Sequence, residues 1–223
     1  MLSRAGLILS LGGLVGLLAL GIYALSSQAQ QTGATPETSV EVNLMPLTGK
    51  TVAILAADEY EDLELLYPAL RFQEAGATVM MVGRPGCADE VKSKHGYACS
   101  VTHRANEVST AEVDAVICPG GWAPDELRRD EAILALVRGV WEKGGVVASI
   151  CHGAWVPISA KIVKGRTMTA YRPVKDDIEN AGATFVNQEV VVDGNLISSR
   201  WPEDLPAFCR AIIGALLQQG GEG

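Results

Sequence analysis

The sequence predicts an α/β fold in which a mostly parallel β-sheet is covered by helices on both faces. Continuous apolar runs at residues 51–57, 78–83 and 146–150 are typical of strands that are buried on both sides. Amphipathic stretches of helical length separate these runs, as they do in parallel sheets. A turn through Gly153 directly follows the third run, and it predicts a nucleophile elbow at the end of that strand.

The predicted elements follow one another in a regular order. Leu63, Leu66, Tyr67, Leu70 and Phe72 give residues 61–75 mostly helical spacing, and the stretch stops at Gly76. The further predicted elements are a pair of strands around a turn at 90–103, a strand at 113–121, a helix at 130–143, a helix at 153–164, a hairpin at 189–199 that turns at Asp193-Gly194-Asn195, and a helix at 203–217.

The N-terminal part of the chain differs from the rest. Residues 6–25 carry no charge, follow Arg4, and as a helix would reach about 30 Å, which is the thickness of a bilayer core. They predict a hydrophobic helix within residues 1–29, either a signal anchor or a signal peptide cleaved at Ser27-Gln28-Ala29. Residues 30–49 are polar and predict a flexible linker, so the folded domain is expected at 50–219.

Both interpretations of the N-terminal segment export the domain that follows it. With Arg4 on the cytoplasmic side, we expect an extracytoplasmic location, with the membrane contacted through the N-terminal segment. A cytoplasmic location is the alternative.

Composition excludes several classes of function. The net charge is −8 and no run of Lys or Arg is present, so we expect no nucleic-acid partner. The five cysteines show neither CxxC nor zinc spacing with histidine, and neither GxGxxG nor a Walker A loop occurs. The sequence therefore predicts no metal and no cofactor.

Cys151 and His152 directly follow the predicted strand 146–150. A helix that begins there would favour an anion and would lower the pKa of the thiol, and His152 is the nearest base. The alternatives are a buried structural cysteine and a surface histidine. No histidine follows His152, which excludes glutamine amidotransferases, because they take their histidine from far downstream of the nucleophile.

Two further strand ends carry candidate side chains. Glu61 lies in an acidic segment after the first strand, and a carboxyl facing the thiol could exchange a proton with it. Gly120 and Gly121 could offer backbone N–H groups to an oxyanion, together with that of His152. The alternatives are solvated helix N-terminal charges and a plain tight turn. The aromatic residues that could line a pocket are Tyr97, Trp122, Trp155, Tyr171 and Trp201.

The segments AADEYEDLELLYPALRFQEAG, KHGYACSV, DAVICPGGWAPDELR, VASICHGAW, AYRPVKDDIENAG and EVVVDGNLISSRWPEDL carry a family resemblance. Together they resemble the PfpI family of the ThiJ superfamily, with its protease, glyoxalase III-like and protein deglycase-like members. The resemblance covers residues 51–217 in one order and does not include the N-terminal segment.

The resemblance implies a flavodoxin-like three-layer sandwich with Cys151 as nucleophile, His152 beside it and Glu61 in contact with the thiol. It also implies that His95 and Tyr171 belong to the pocket. Family members form dimers or hexamers, in which a carboxylate after the PGG turn reaches the Cys–His pair of a neighbouring subunit. Asp125 occupies that position, where the family pattern has Glu, and the adjacent Glu126 could take its place. Lys161 stands where the pattern often has Gly.

We therefore expect a cysteine-dependent enzyme that acts in stress protection on small reactive carbonyl compounds or on peptides. The residues do not separate the two substrates. The alternative is a non-enzymatic stress protein in which oxidation of Cys151 is the signal.

Overall fold

A computed structural model of the chain describes residues 45–219, which fall in one compact unit. The predictions for residues 1–29 and for most of the linker lie outside this range. Within it, no helix combines the length and the apolar character needed to cross a membrane.

A seven-stranded sheet forms the centre of the described domain, with strand order β10-β11-β7-β6-β1-β2-β5. In this order, every pair of adjacent strands from β11 to β5 is parallel. The β10–β11 hairpin is antiparallel. Two small two-stranded sheets, β3-β4 and β8-β9, lie outside it. The strands are β1 (Thr51–Leu55), β2 (Thr78–Gly83), β3 (Glu90–Lys92), β4 (Ala98–Ser100), β5 (His103–Arg104), β6 (Ala115–Cys118), β7 (Val146–Ile150), β8 (Thr167–Met168), β9 (Thr184–Phe185), β10 (Val190–Asp193) and β11 (Leu196–Ser199).

Helices cover both faces of this sheet. The helices are α1 (Asp62–Glu74), α2 (Ala123–Leu127), α3 (Glu131–Glu142), α4 (Trp155–Ser159), α5 (Lys175–Asn180) and α6 (Leu205–Gln218). Helices α1 and α6 contact each other, and α3 contacts α4, while α3 and α6 both pack on β7. The predicted α/β sandwich with a mostly parallel sheet is confirmed.

The helix predicted at 153–164 is much shorter in the structure. Cys151–Ala154 form a 3₁₀ turn, and α4 ends at Ser159. Lys161 adopts φ = 64°, a left-handed conformation that cannot continue a right-handed helix. The apolar residues after α4 therefore belong to a connecting segment, although their spacing looked helical.

The apolar face predicted for α1 is only partly correct, since Phe72 is buried and Leu66 and Tyr67 pack against the core. Leu63 and Leu70 are 55% and 67% exposed, and the residues that α1 buries are Glu64, Leu65, Pro68 and Phe72. Glu64, Pro68 and Phe72 follow one another at intervals of four, so they form one inward face. This places a carboxyl group inside the domain.

The carboxyl ends of three neighbouring parallel strands bring the candidate segments together. Strands β7, β6 and β1 lie side by side, and their ends lead into residues 151–152, 119–121 and 58–61. Tyr60 and Gly121 form a backbone bridge, and the Trp122 N–H donates to the Glu59 carbonyl at 2.8 Å. The ends of parallel strands are where sites form in open α/β sheets.

Candidate active site

Cys151 lies on a strained turn directly after β7. Its φ of 59° is in the left-handed region, which is uncommon for residues other than glycine and marks functional turns. Gly153 allows the turn to pack on β6, since a Cβ there would overlap the carbonyl oxygen of Cys118. The predicted nucleophile elbow is therefore present, and it lifts the thiol out of the sheet.

The carboxyl group beside this thiol belongs to Glu64. Glu64 is fully buried, interacts directly with the Cys151 thiol, and accepts a hydrogen bond from the Gly120 N–H at 2.8 Å through Oε2. Its other oxygen, Oε1, is buried and has no hydrogen-bond partner of regular geometry. The residue predicted for this contact, Glu61, instead caps α1, because its Oε2 accepts from the Glu64 N–H at 2.9 Å.

The sequence did contain a signal for Glu64. A carboxylate at the N-cap accepts a hydrogen bond from the backbone N–H three residues later. The carboxylate of Glu61 is at that position and is therefore used to cap α1. Glu64 shares its helical face with Pro68 and Phe72, and therefore points inward. The spacing of the apolar residues alone does not show that Glu64 belongs to the buried face.

Two backbone amides act on the sulfur. The N–H groups of Gly121 and His152 interact with Cys151 Sγ and act to lower the pKa of its thiol. The third amide predicted for an oxyanion, that of Gly120, is used instead to hold Glu64. Gly120 is still required sterically, because a Cβ there would come within 2.7 Å of the Cys151 Cβ and 3.0 Å of the His152 nitrogen.

His152 lies beside the thiol and among aromatic rings. Its Nδ1 is 3.4 Å from Cys151 Sγ, and its ring centroid is 5.4, 4.9 and 5.1 Å from those of Trp122, Trp155 and Tyr171. Burial lowers the pKa of His152, and the charge of Lys94 lowers it further. A neutral imidazole at neutral pH is therefore available as a base next to the sulfur.

Burial governs protonation of the Cys151–Glu64 pair. It raises the pKa of the Glu64 carboxyl, and the neighbouring Glu61 carboxylate raises it further. Burial and the charge of Glu64 also raise the pKa of the Cys151 thiol, against the N–H groups of His152 and Gly121. The lowering of the thiol pKa predicted from a helix N-terminus is outweighed by burial and by the charge of Glu64. Both groups therefore hold their protons at neutral pH.

The buried Glu64 makes stability depend on pH. Its folded pKa lies above the ordinary 4.5, so the unfolded chain loses this proton first as pH rises. The stabilisation is complete below pH 4.5 and is lost as pH increases towards the folded pKa. Urea unfolding at a series of pH values should show the parent losing about 1–3 kcal/mol relative to Glu64→Gln between pH 4.5 and neutrality. Equal pH slopes for the two proteins would contradict this.

The thiol opens into a pocket of about 310 Å³. Its lining consists of Glu61, Glu64, Lys94, Gly121, Trp122, Cys151, His152, Tyr171, Trp201 and Pro202. Tyr171 is therefore at the pocket, as the family resemblance implies. Sequence reasoning missed Lys94, a cation whose Nζ is 3.6 Å from Glu61 Oε1.

His95 does not line this pocket. It binds Asp62, with 2.7 Å between His95 Nδ1 and Asp62 Oδ2, and its side chain is mostly exposed. The other oxygen of Asp62 accepts from the Ser93 hydroxyl at 2.6 Å. These contacts fasten the β3–β4 hairpin to the start of α1, and the hairpin carries Lys94 into the pocket.

Asp125 and Glu126 lie outside the pocket of their own chain. Asp125 is exposed and pairs with Arg129 at 3.2 Å, and Glu126 pairs with Arg84. The role of either carboxylate across a subunit interface stays a prediction. All five cysteines are free thiols, and residues 45–219 contain no group of three His, Cys, Asp or Glu side chains that could hold a metal ion.

The fold and this site define an α/β protein with a cysteine on a nucleophile elbow, faced by a buried glutamic acid. Residues 50–215 match the model of the DJ-1/PfpI family. The chain belongs to the DJ-1/PfpI family, and the resemblance seen in the sequence is confirmed.

Relatives with descriptive names match about three quarters of the chain. Deglycase TK1284 of Thermococcus kodakarensis is 44% identical over 162 residues, which are 73% of this chain and 96% of the relative. Protein/nucleic acid deglycase 2 of Escherichia coli is 42% identical over 74% of this chain and 96% of its own. The putative cysteine protease YraA of Bacillus subtilis is 36% identical over 75% and 98%.

Solved structures agree with the fold. The DJ-1/ThiJ/PfpI-like and ferritin-like two-domain protein of Anabaena variabilis has a TM-score of 0.73 at 37% identity, covering 75% of this chain and 48% of that one. Drosophila melanogaster DJ-1beta has a TM-score of 0.71 at 26% identity, covering 77% and 95%.

Proposed function

We propose that this protein is a cofactor-independent enzyme in which the Cys151 thiol attacks the carbonyl carbon of a small α-oxoaldehyde. The observation that carries the proposal is the direct approach of Glu64 to a thiol presented on the elbow, with the Gly121 and His152 amides at the same sulfur. Acid, base and hydrogen-bond donors thus surround one nucleophile.

The groups around Cys151 suit each step of such a reaction. His152 takes the thiol proton while sulfur bonds to the aldehyde carbon, and the carbonyl oxygen receives the proton of Glu64. The aldehyde hydrogen then passes through the Glu64 carboxylate to the adjacent carbon, while the hydroxyl proton of the hemithioacetal moves to the oxygen on that carbon, leaving a thioester of a 2-hydroxy acid. Water hydrolyses the thioester and restores the thiol, and the proton held by His152 returns to Glu64. The aldehyde carbon is oxidised and its neighbour reduced, so no external oxidant is needed.

Pocket size supports the small substrate. A cavity of about 310 Å³ is at the lower end of ligand sites and suits a compact carbonyl compound better than an extended polypeptide. The names of the deglycase relatives agree with carbonyl chemistry. A relative named General stress protein 18, 37% identical, supports a role in stress protection.

The test follows lactate released from methylglyoxal by the purified protein without glutathione. We expect steady lactate formation that stops when iodoacetamide has alkylated Cys151, as located by mass spectrometry. Absence of lactate from the untreated protein would contradict the proposal.

Peptide hydrolysis is the second candidate, because one relative is named a putative cysteine protease. The same preparation should be assayed on a fluorogenic peptide series. Peptide cleavage that is lost on alkylation, with no lactate formed, would favour this candidate.

A further inference from the structure

Four cationic side chains line one surface cleft far from the thiol. The cleft, of about 400 Å³, lies between the last turns of α3 and the segment after α4, and its charged lining residues are Arg138, Glu142, Lys161, Lys164 and Arg166. We call it the basic cleft. Helix α3 ends before β7 and Cys151 follows β7, so the two sites are separated by the strand, which spans roughly 16 Å.

Two of the cations are held in place. The Arg166 guanidinium lies 5.0 Å over the Trp141 ring, and its Nη1 is 3.1 Å from Asp193 Oδ1. Arg138 pairs with Glu131 on its own helix. Lys161 and Lys164, by contrast, have no ion pair or side-chain hydrogen bond within residues 45–219.

The two lysines are not needed to cap the helices. Cations at helix C-termini often bond the last carbonyl groups. Here backbone amides do so, because the Gly144 N–H bonds the Trp141 carbonyl at 3.0 Å and the Ile162 N–H bonds the Pro157 carbonyl at 3.3 Å. The ammonium groups therefore remain available at the cleft.

Lys161 occupies a backbone position that suits glycine. Its φ of 64° is left-handed, and it directly follows the C-cap of α4, Ala160. Glycine adopts this conformation without the steric cost that a Cβ brings, and it is the preferred residue just after a helix. A lysine kept there in spite of the strain points to a use for its charge.

The charges that line this cleft differ from those of the thiol pocket and of the cavity beside Arg84. The whole chain carries a net charge of −8. The cavity lined by Arg84, Glu126, Arg129 and Asp130 balances two cations with two anions, and Lys94 in the thiol pocket is paired with Glu61. The basic cleft is lined by four cations and the Glu142 carboxylate; Asp193 and Glu131 pair with Arg166 and Arg138, so the ammonium groups of Lys161 and Lys164 are left without an ion pair within residues 45–219.

We propose that the basic cleft binds a phosphate group, carried either by a free phosphoanion or by a phospholipid headgroup. The fixed guanidinium of Arg166 offers planar N–H donors, and the ammonium groups of Lys161 and Lys164 supply two mobile charges. Phosphate oxygens match this combination of donors.

The test uses the domain of residues 45–219, because relatives that consist almost entirely of this domain exist as whole proteins. Inorganic pyrophosphate is titrated calorimetrically, and vesicles of phosphatidylcholine with and without phosphatidylglycerol are tested by co-sedimentation. The proteins compared are the parent, Lys161→Gly, the double variant Lys161→Gly with Lys164→Gln, and Lys175→Gln, which removes a lysine outside the cleft.

We expect the double variant to bind at least about tenfold more weakly than the parent, and Lys175→Gln to bind like the parent. Lys161→Gly alone should bind several-fold more weakly while its Tm rises by about 2 °C, so the lost affinity does not come from unfolding. Pyrophosphate binding identifies a free phosphoanion as the source, and binding only to phosphatidylglycerol vesicles identifies a headgroup. The proposal is overturned if neither probe binds, or if the double variant binds as well as the parent.

Discussion

Replacement of Glu64 by glutamine is expected to lower kcat/KM for an α-oxoaldehyde by about 10²- to 10⁴-fold. Glutamine keeps the shape of the side chain and can still accept the Gly120 N–H, which bonds Glu64 Oε2 at 2.8 Å in the parent. It cannot give a proton to the substrate oxygen or take one from the adjacent carbon. The loss corresponds to about 3–5 kcal/mol of transition-state stabilisation.

Glu61→Gln is the matched control for this experiment. Glu61 also lines the pocket, but its Oε2 caps α1 and its Oε1 faces Lys94. Because an amide oxygen can still cap the helix, we expect less than a tenfold change in kcat/KM. Equal losses in the two variants would show that Glu64 has no special part in proton transfer. At neutral pH the Glu64→Gln protein should also be more stable than Glu61→Gln. The buried amide does not ionise, whereas the buried Glu64 carboxyl holds its proton at a cost in stability.

The candidate nucleophile, Cys151, could be located from the sequence because its signal is local. An apolar run that ends in Cys151-His152-Gly153 specifies a strand, a reactive side chain and a sharp turn within a few consecutive residues. The same holds for Gly121, whose place after β6 follows from the strand end. Because β7 and β6 are neighbouring parallel strands, their carboxyl ends lie side by side, and the sheet alone brings these residues together.

The partner carboxyl could not be chosen so simply, because it depends on which face of α1 is buried. Leucines lie on both sides of that helix, so their spacing alone does not decide which acidic residue is buried. The structure buries the face with Glu64. Protonation of this carboxyl lowers the cost of burying it. Functional sites are where local rules are expected to fail.

Lys94 and His95 illustrate a second limit of sequence reasoning. They are adjacent in the chain, yet only Lys94 lines the pocket. The difference is set by long-range contacts of the β3–β4 hairpin, in which Asp62 binds the buried Ser93 and the exposed His95. No spacing rule within the hairpin predicts which side chain turns inward.

Gly153→Ala should have the largest effect on stability. The added Cβ would overlap the carbonyl oxygen of Cys118 and lie 2.8 Å from its carbonyl carbon and 3.0 Å from the Pro119 oxygen. All three atoms are backbone, so no side-chain rotation relieves the overlap. Either the end of β6 or the elbow itself must move, and we expect a loss of at least about 3 kcal/mol in the free energy of unfolding.

Gly214→Ala provides the control, because a Cβ at this position in α6 meets no atom within 4 Å. Alanine there should leave stability unchanged or raise it by up to about 1 kcal/mol, as expected for a helix interior. Chemical unfolding of the two variants separates the close approach at the elbow from a general effect of replacing glycine. A Gly153→Ala protein within about 1 kcal/mol of the parent would mean that the elbow can shift away from β6 at little cost. The position of the thiol between Glu64 and the two amides would then not be fixed by this contact.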